Sequence, residues 1–559
     1  MRFRLLLTAL SIGLLPPLAL PAAHAQVASD EPVFSAAAVK AHVEFLASDE
    51  LEGRNAGTRG YDIAARYVAT RFEAMGLKPG GTNGSWYQMM PLAEYSLDPA
   101  KPASMTVGKT VFANGPDVLI AASPRSGEGT QTVSTGAVFA GYGLTGDYAG
   151  LDVKGKIVVV LLGVPKGLSP DAARAAVDED KGATAGKLGA AGIIYLLTPQ
   201  DETRISWSQV RGYYLRPQST WLGPNGAPNG VDPGVAIGAY ATSATAAALF
   251  KGSAMTGEQM FASLATEPRP KGFALKEKVT LARTSKVKIV NTPNVIGILP
   301  GSDPGLKDEY VVVSAHLDHD GVNPDLPGDD KIYNGAMDNA AGIATMLEAA
   351  RGFTEGRKAP KRSILFVGLT AEEDGLLGSE YLTKYPVVGP NGKFVANVNL
   401  DMPVLLYDFK DVVAFGAEHS TLGPIVERAA ARIGVALSPD PMPEEQLFVR
   451  SDHYSFVKAG VPSVFLVTGF ANGGEKQFRD FLATHYHKVS DQTDLPFNWD
   501  AGAKFAHINY LIAREIADAP EAPRWYEGNS FGDRFAPGQP KAPKAAPKPA
   551  SPAPASPTK

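Results

Sequence analysis

Apolar residues fall into three regimes along the chain. Between residues 33 and 77 they recur at helical spacing, first Val39, Val43 and Leu46, then Ala64, Tyr67, Val68 and Phe72. The glycine-bearing stretch 52–58 separates the two sets, which predicts two helices joined by a loop. From 91 to 278 the pattern breaks into short β-like runs such as 118–120 and 157–162, with an alanine-rich helical stretch ahead of 192–195, and predicts a separate α+β module. From 291 onward, apolar runs at 311–315, 364–369, 395–400 and 461–467 alternate with amphipathic stretches such as 343–350. That alternation predicts an α/β domain, a mixed, mostly parallel central sheet flanked by helices. Residues 529–559 are rich in Pro, Ala and Lys, lack periodicity and are expected to stay disordered. The expected division is 26–94 and 281–528 for one domain, 95–280 for an insertion in it, and 529–559 for a tail.

Length and composition narrow the class. A chain of 559 residues exceeds one compact core, and 44% apolar with 20% charged residues is ordinary for a globular protein. A net charge of -5 offers no electrostatic footprint for nucleic acid, and no basic amphipathic segment suggests a membrane surface. At the N-terminus, Arg2 and Arg4 precede an apolar run to about residue 20 and then Ala23-His24-Ala25, a small-x-small cleavage site. Residues 1–25 therefore read as a secretory leader, and the expected location is periplasmic or secreted. Pro16, Pro17 and Pro21 interrupt a run already short of the roughly 20 residues of a membrane span, so membrane insertion is not expected. With no Cys, disulfides and thiolate metal sites are excluded, and any zinc must bind His, Asp or Glu.

Such residues stand at the ends of the predicted strands. The run 311–315 leads into His316-Leu317-Asp318-His319, 364–369 into Thr370-Ala371-Glu372-Glu373, and 395–400 into Asp401. In open α/β sheets the crevice beyond the carboxyl ends of the strands binds ligands, so these side chains can converge despite their separation in sequence. Asp338 joins them, ahead of a helix whose apolar face is Ile343, Met346, Leu347 and Ala350. Each alone has an ordinary reading: Asp338 as a helix cap, Glu372 and Glu373 as first-turn acids, His316 as a core histidine. Together they form a sulfur-free set suited to zinc, and a carboxylate bridging two ions about 3.5–4 Å apart is the geometry of co-catalytic hydrolysis.

Several segments carry a family resemblance: Ala315-His316-Leu317-Asp318-His319, the stretch 334–342 around Asp338-Asn339, 370–379 around Glu372-Glu373, Asn399-Leu400-Asp401-Met402, Ser451-Asp452-His453, Tyr486-His487-Lys488-Val489-Ser490-Asp491, and 45–54 near the mature N-terminus. With these the chain resembles the M28 family of zinc aminopeptidases, in the subgroup carrying a protease-associated (PA) domain. Gly141-Tyr142-Gly143-Leu144 and the stretch 151–160 resemble the PA domain itself, expected to border the active site and restrict it to small peptides. The resemblance implies the zinc aminopeptidase fold and two zinc ions per chain, bridged by Asp338, with His316 and Asp401 completing one site and Glu373 and His487 the other. It further implies Glu372 as general base, Asp318 as the carboxylate orienting His316, Tyr486 as an oxyanion donor or a packing residue, Arg450, Asp452 and His453 in the pocket wall, and a cis peptide between Asp338 and Asn339. His319 and His485 are not expected to be ligands. The substrates implied are peptides with a free N-terminus. Other activities on the same scaffold are a carboxypeptidase, a single-zinc glutaminyl cyclase and a non-catalytic receptor-like binding protein.

Overall fold

In a computed structural model, residues 31–544 are described, except 126, 128, 170–172, 174, 175, 178, 232, 233 and 357. The expected leader lies outside the described residues, as does the tail beyond 544.

Four strands form the middle of the larger sheet: Ser363–Leu369, Glu309–His316, Lys393–Leu400 and Ser463–Thr468, in that spatial order and mutually parallel. Val311, Val312 and Val313 are all fully buried, because helices cover both faces and alternation has no solvent side to mark. One face carries Ala36–Leu46, Arg59–Ala74, Ala341–Glu355 and Trp499–Asp518, the other Leu377–Lys384 and His453–Lys458. Three of these helices start where a polar side chain accepts a backbone N–H of the first turn, from Ser35, Thr58 and Asn498. Antiparallel strands flank the parallel core, Phe273–Leu299 on one side and Asp411–Phe415 on the other. Among the described residues, no helix is long and apolar enough to cross a membrane.

The segment 95–280 has a core of its own, built on a second sheet in which Thr130–Phe139, Ile157–Leu161, Gly192–Leu196 and Ile237–Ala241 run parallel. No flexible linker joins it to the first sheet. The 27-residue strand Phe273–Leu299 runs through both: its first part pairs with Thr130–Phe139, its middle with Tyr87–Leu97, and its end with Ser363–Leu369. The boundaries expected at 94/95 and 280/281 thus fall inside two paired strands. One short strand from within the insertion, Gln218–Trp221, also joins the peptidase-side sheet by pairing with Tyr87–Leu97.

The tail departs from its expected disorder as far as residue 544. Helix Ser530–Phe535 is capped by Asn529, and Phe531, Phe535 and Ala536 pack with the buried Trp525 and Val457. The Trp525 indole N–H donates to the Gly460 carbonyl at 3.0 Å, and its own carbonyl accepts from Ala542 N at 2.8 Å. A few aromatic residues anchor this stretch, too few to create a period legible in the sequence.

Candidate metal centre

The ends of the parallel strands bring the predicted residues together. His316, last residue of its strand, has Nε2 at 3.2 Å from Asp338 Oδ1 and 3.1 Å from Asp401 Oδ1. His487 Nε2 lies 3.2 Å from the other oxygen, Asp338 Oδ2, and 3.1 Å from Glu373 Oε2. Each oxygen of Asp338 therefore faces a different imidazole–carboxylate pair. The second oxygen of Glu373, Oε1, is 2.6 Å from His319 Nδ1.

Backbone geometry aims these groups. The Asp338–Asn339 peptide is cis, as expected. Gly335, before it, has φ +58°, and a Cβ there would meet the Asp338 carbonyl at 2.2 Å and the His319 ring at 2.5 Å, so only glycine fits. The Asp491 carboxylate accepts from Met337 N at 2.9 Å and Asp338 N at 3.0 Å. Asn339 ties this loop to the end of the Asp401 strand, donating to Leu400 O at 3.0 Å and accepting from Met402 N at 3.2 Å. Behind Asp401, Ser451 Oγ donates to Oδ2 at 2.6 Å and accepts from Asn399, which in turn accepts from Ser314. Three buried polar groups in series thus fix the Asp401 carboxylate.

Arg54 holds the two histidine and aspartate loops from below. Its guanidinium, 1% exposed, donates to the carbonyls of Leu46, Leu317, Asn334 and Gly335. Burial pushes its pKa down to about 10, with Asp491, Asp318, Asp338 and Glu373 opposing, so it stays charged at neutral pH. Arg54→Met leaves four carbonyls without their donor. Thermal and denaturant unfolding are expected to show a loss of about 3 kcal/mol or more. Arg54→Lys, lacking the planar fork, is expected to recover only part of it.

The buried acids and imidazoles shift one another's protonation. Burial alone would raise Asp338, but hydrogen bonds with His316 and His487 hold it well below the usual carboxylate range. Burial would lower His316, yet Asp401 and Glu372 draw it well above its ordinary value. His319 and His487 are likewise raised against their burial, His319 by Glu373 and His487 by its bonds to Asp338 and Glu373. Burial first, then Glu373 and Asp401, push Glu372 well above the ordinary range. Four carboxylates thus face three imidazoles drawn towards protonation. The geometry suits zinc: ligand atoms at tetrahedral corners about 2.0–2.1 Å from an ion stand about 3.3 Å apart, close to the separations here. His316, Asp338 and Asp401 offer one such group, and His319, Asp338 and Glu373 another, with ligand atoms within 4.8 Å of one another.

A cavity of about 250 Å³ opens over these residues. His316, Asp338, Glu372, Asp401 and His487 line it together with the apolar Met402, Leu447, Phe465, Val467, Phe478 and Leu482. Tyr486 also lines it, its ring 3.9 Å from that of His487, and Arg450 stands at its edge, 3.4 Å from Glu445. Asp452 and His453, expected in the wall, are fully buried behind it. His453 Nε2 is 2.7 Å from the Phe448 carbonyl and its ring packs on Phe465, and burial pushes its pKa down to about 3. It therefore supports the wall as a neutral ring. Burial raises Asp452 to about 7.

The expectation changes at Asp318. The Asp318 carboxylate was expected to accept from His316, but it lies 4.0 Å from Nδ1, and the nearer oxygen is the Asp318 backbone carbonyl at 3.3 Å. The carboxylate is engaged elsewhere, accepting from the backbone N–H groups of Glu372 and Glu373 at 3.2 Å each. An acid there neutralises two donors at a turn that has no helix to use them. His319, not expected to be a ligand, is fully buried with Nδ1 against the Glu373 carboxylate, and with Asp338 and Glu373 it forms a group that could hold an ion. Its nearness to His316 in sequence was the only signal. His485 lies outside the cluster, its Nδ1 at 3.0 Å from Ser490 Oγ.

Comparison with known proteins finds relatives of part of the chain. Residues 294–513 match the profile of "Peptidase family M28". A probable zinc metalloprotease of Pyrenophora teres f. teres (strain 0-1) is 40% identical over 116 residues, covering 20% of this chain and 23% of its own length. A probable leucine aminopeptidase 2 of Aspergillus fumigatus is 29% identical over 191 residues, 33% of this chain and 35% of its own. The chain spans about a quarter of the length of the curated Pyrenophora relatives it matches. Among solved structures, an aminopeptidase from Aneurinibacillus sp. strain AM-1 aligns with 88% of this chain and 95% of its own at 18% identity, with a TM-score of 0.48. Over residues 294–513 the chain is thus similar to peptidase family M28.

Proposed function

We propose that the protein is an exported, zinc-dependent aminopeptidase that hydrolyses the N-terminal peptide bond of short peptides at a two-zinc centre. The observation that carries this reading is the division of Asp338 between two imidazole–carboxylate pairs. His316 and Asp401 would hold one ion, Glu373 and His487 the other, and Asp338 both. Zinc bound there supplies Lewis acidity, polarising a carbonyl and lowering the pKa of a water. Glu372, partly buried on the cavity wall, takes a proton from the attacking water and passes it to the leaving amine nitrogen. The apolar residues Phe465, Val467, Phe478 and Leu482 of the cavity receive the side chain of the first residue. Tyr486 stands beside His487, where its phenol can donate to the developing oxyanion. The resemblance of 141–160 to a PA domain supports an access-limiting role for the insertion, and the leader pattern at 1–25 supports export.

Removal and return of metal test the reading. Treatment with a strong chelator is expected to abolish release of nitroaniline from leucine p-nitroanilide, zinc to restore it, and elemental analysis to find two zinc ions per active chain. An N-acetylated substrate is expected to be inert. Cleavage of blocked peptides from a free C-terminus, or full activity after complete chelation, would overturn the proposal.

A further inference from the structure

Glu372 and Glu373 sit in a turn, 371–376, with little regular structure of its own. It begins at Ala371, φ +52°, and ends at Leu376, φ +64°, and the Glu372 carbonyl accepts from both Gly375 N and Leu376 N, at 2.8 and 2.9 Å. Helix Leu377–Lys384 follows at once, so the turn is aimed by whatever fixes that helix. Much of what fixes it comes from the insertion. Trp221, 5% exposed at the end of strand Gln218–Trp221, donates its indole N–H to Glu380 Oε2 at 3.1 Å. Asn229 Nδ2 donates to the same oxygen at 2.8 Å, and Asn229 N to the Trp221 carbonyl at 2.9 Å. The indole meets the rings of Tyr381 and Tyr385 edge-on at 5.6 and 5.8 Å. It also shares one apolar cluster with Ala371 and Leu377, the two residues that bracket the turn. Ser219, two residues earlier, lies against the Asp374 carboxylate within the turn itself.

We infer that Trp221 is a positioning residue for the Glu372–Glu373 turn, so that the insertion is part of the catalytic apparatus and not a detachable cover. The inference rests on the peptidase reading of that turn. Trp221 lies outside the cavity and touches no substrate; it acts by holding helix Leu377–Lys384 and the floor beneath Ala371. A side chain that orients a metal ligand or base through its support is worth about 10- to 100-fold in metal affinity or turnover. A purely structural tryptophan would lower stability and leave both quantities alone.

The test uses the full chain, with assays held well below each variant's melting temperature. Zinc retention is read by competition with a coloured chelator, and kcat and KM are read with leucine p-nitroanilide. Trp221→Ala is expected to weaken zinc retention and to lower kcat by about tenfold or more each, with KM nearly unchanged. Trp221→Phe, which keeps an aromatic ring against Ala371, is expected to regain most of both. Glu380→Gln, which keeps the apolar packing and weakens the two N–H bonds, is expected to lie between them. A Trp221→Ala protein with a lower melting temperature but wild-type kcat and zinc retention would overturn the inference. Should that variant not fold, wild-type values in both Trp221→Phe and Glu380→Gln would overturn it equally. A wild-type protein that holds zinc but leaves aminoacyl nitroanilides intact would sink the proposed function alone, and the zinc-retention comparison would still decide the role of Trp221.

Discussion

Glu372→Gln is expected to lower kcat by about 10²- to 10⁴-fold while leaving zinc content and KM close to those of the wild type. The replacement is nearly isosteric, so neither the turn nor the cavity need change shape. Its backbone carries the structural load: Glu372 N donates to Asp318 and its carbonyl accepts from Gly375 and Leu376, and all three bonds survive the substitution. Only the ability of the side chain to take and return a proton is lost. Glu373, one residue on, is held by His319 and His487 through its two oxygens and is not free for that work. The two adjacent acids are thus separated by role: one is fully engaged and one opens onto the cavity. Glu372→Asp keeps the carboxylate but withdraws it by one methylene, and is expected to retain part of the rate. Steady-state kinetics with leucine p-nitroanilide, paired with elemental analysis of the same samples, check the prediction. A Gln variant within threefold of the wild-type kcat would remove Glu372 from the mechanism.

The sequence made the centre legible because of how parallel sheets are built. Strands buried on both faces, such as 311–313, read as unbroken apolar runs, and polar residues at their carboxyl ends stand out against them. His316, Asp401 and the Glu372–Glu373 pair all lie at such ends, and Asp338 precedes a helix whose apolar face is plain. Contacts made across long sequence separations left no such mark. Ser451 belongs to the motif Ser451-Asp452-His453, but nothing local marks that its hydroxyl donates to Asp401, fifty residues earlier in the chain. Asp318 looked like a partner for the histidine two residues before it, but chain direction turned its carboxylate towards a turn more than fifty residues later, with |i−j| of 54 and 55. The pairing of Trp221 with Glu380, at |i−j| of 159, has no local signature, because it depends on a short strand leaving one sheet to join another. The continuous strand Phe273–Leu299 hid the domain boundary for a related reason: it stays extended throughout although its partners change along its length.

Asp338→Asn is expected to be the most damaging substitution at a proposed ligand, weakening both sites where every other ligand change weakens one. Its two oxygens serve two separate imidazole–carboxylate pairs, at 3.2 Å each from His316 and His487. An amide offers one neutral oxygen and one N–H group that repels a cation, so one pair loses its third member and the other loses a negative charge. Asp491, which accepts from Met337 N and Asp338 N, still holds the backbone, so the loop is expected to remain in place. Ser451→Ala supplies the comparison. It frees the Asp401 carboxylate without deleting a ligand, and is expected to cost the 10- to 100-fold in affinity or turnover, on the order of magnitude typical for a residue that orients a ligand. Asp338→Asn is expected to fall well beyond about 100-fold in turnover, with zinc content dropping from two per chain to one or none. Titration of both variants with zinc against a coloured chelator checks this ranking. If Asp338→Asn retained two tightly held ions, the carboxylate would not be the bridge, and the two imidazole–carboxylate pairs would have to act as independent sites.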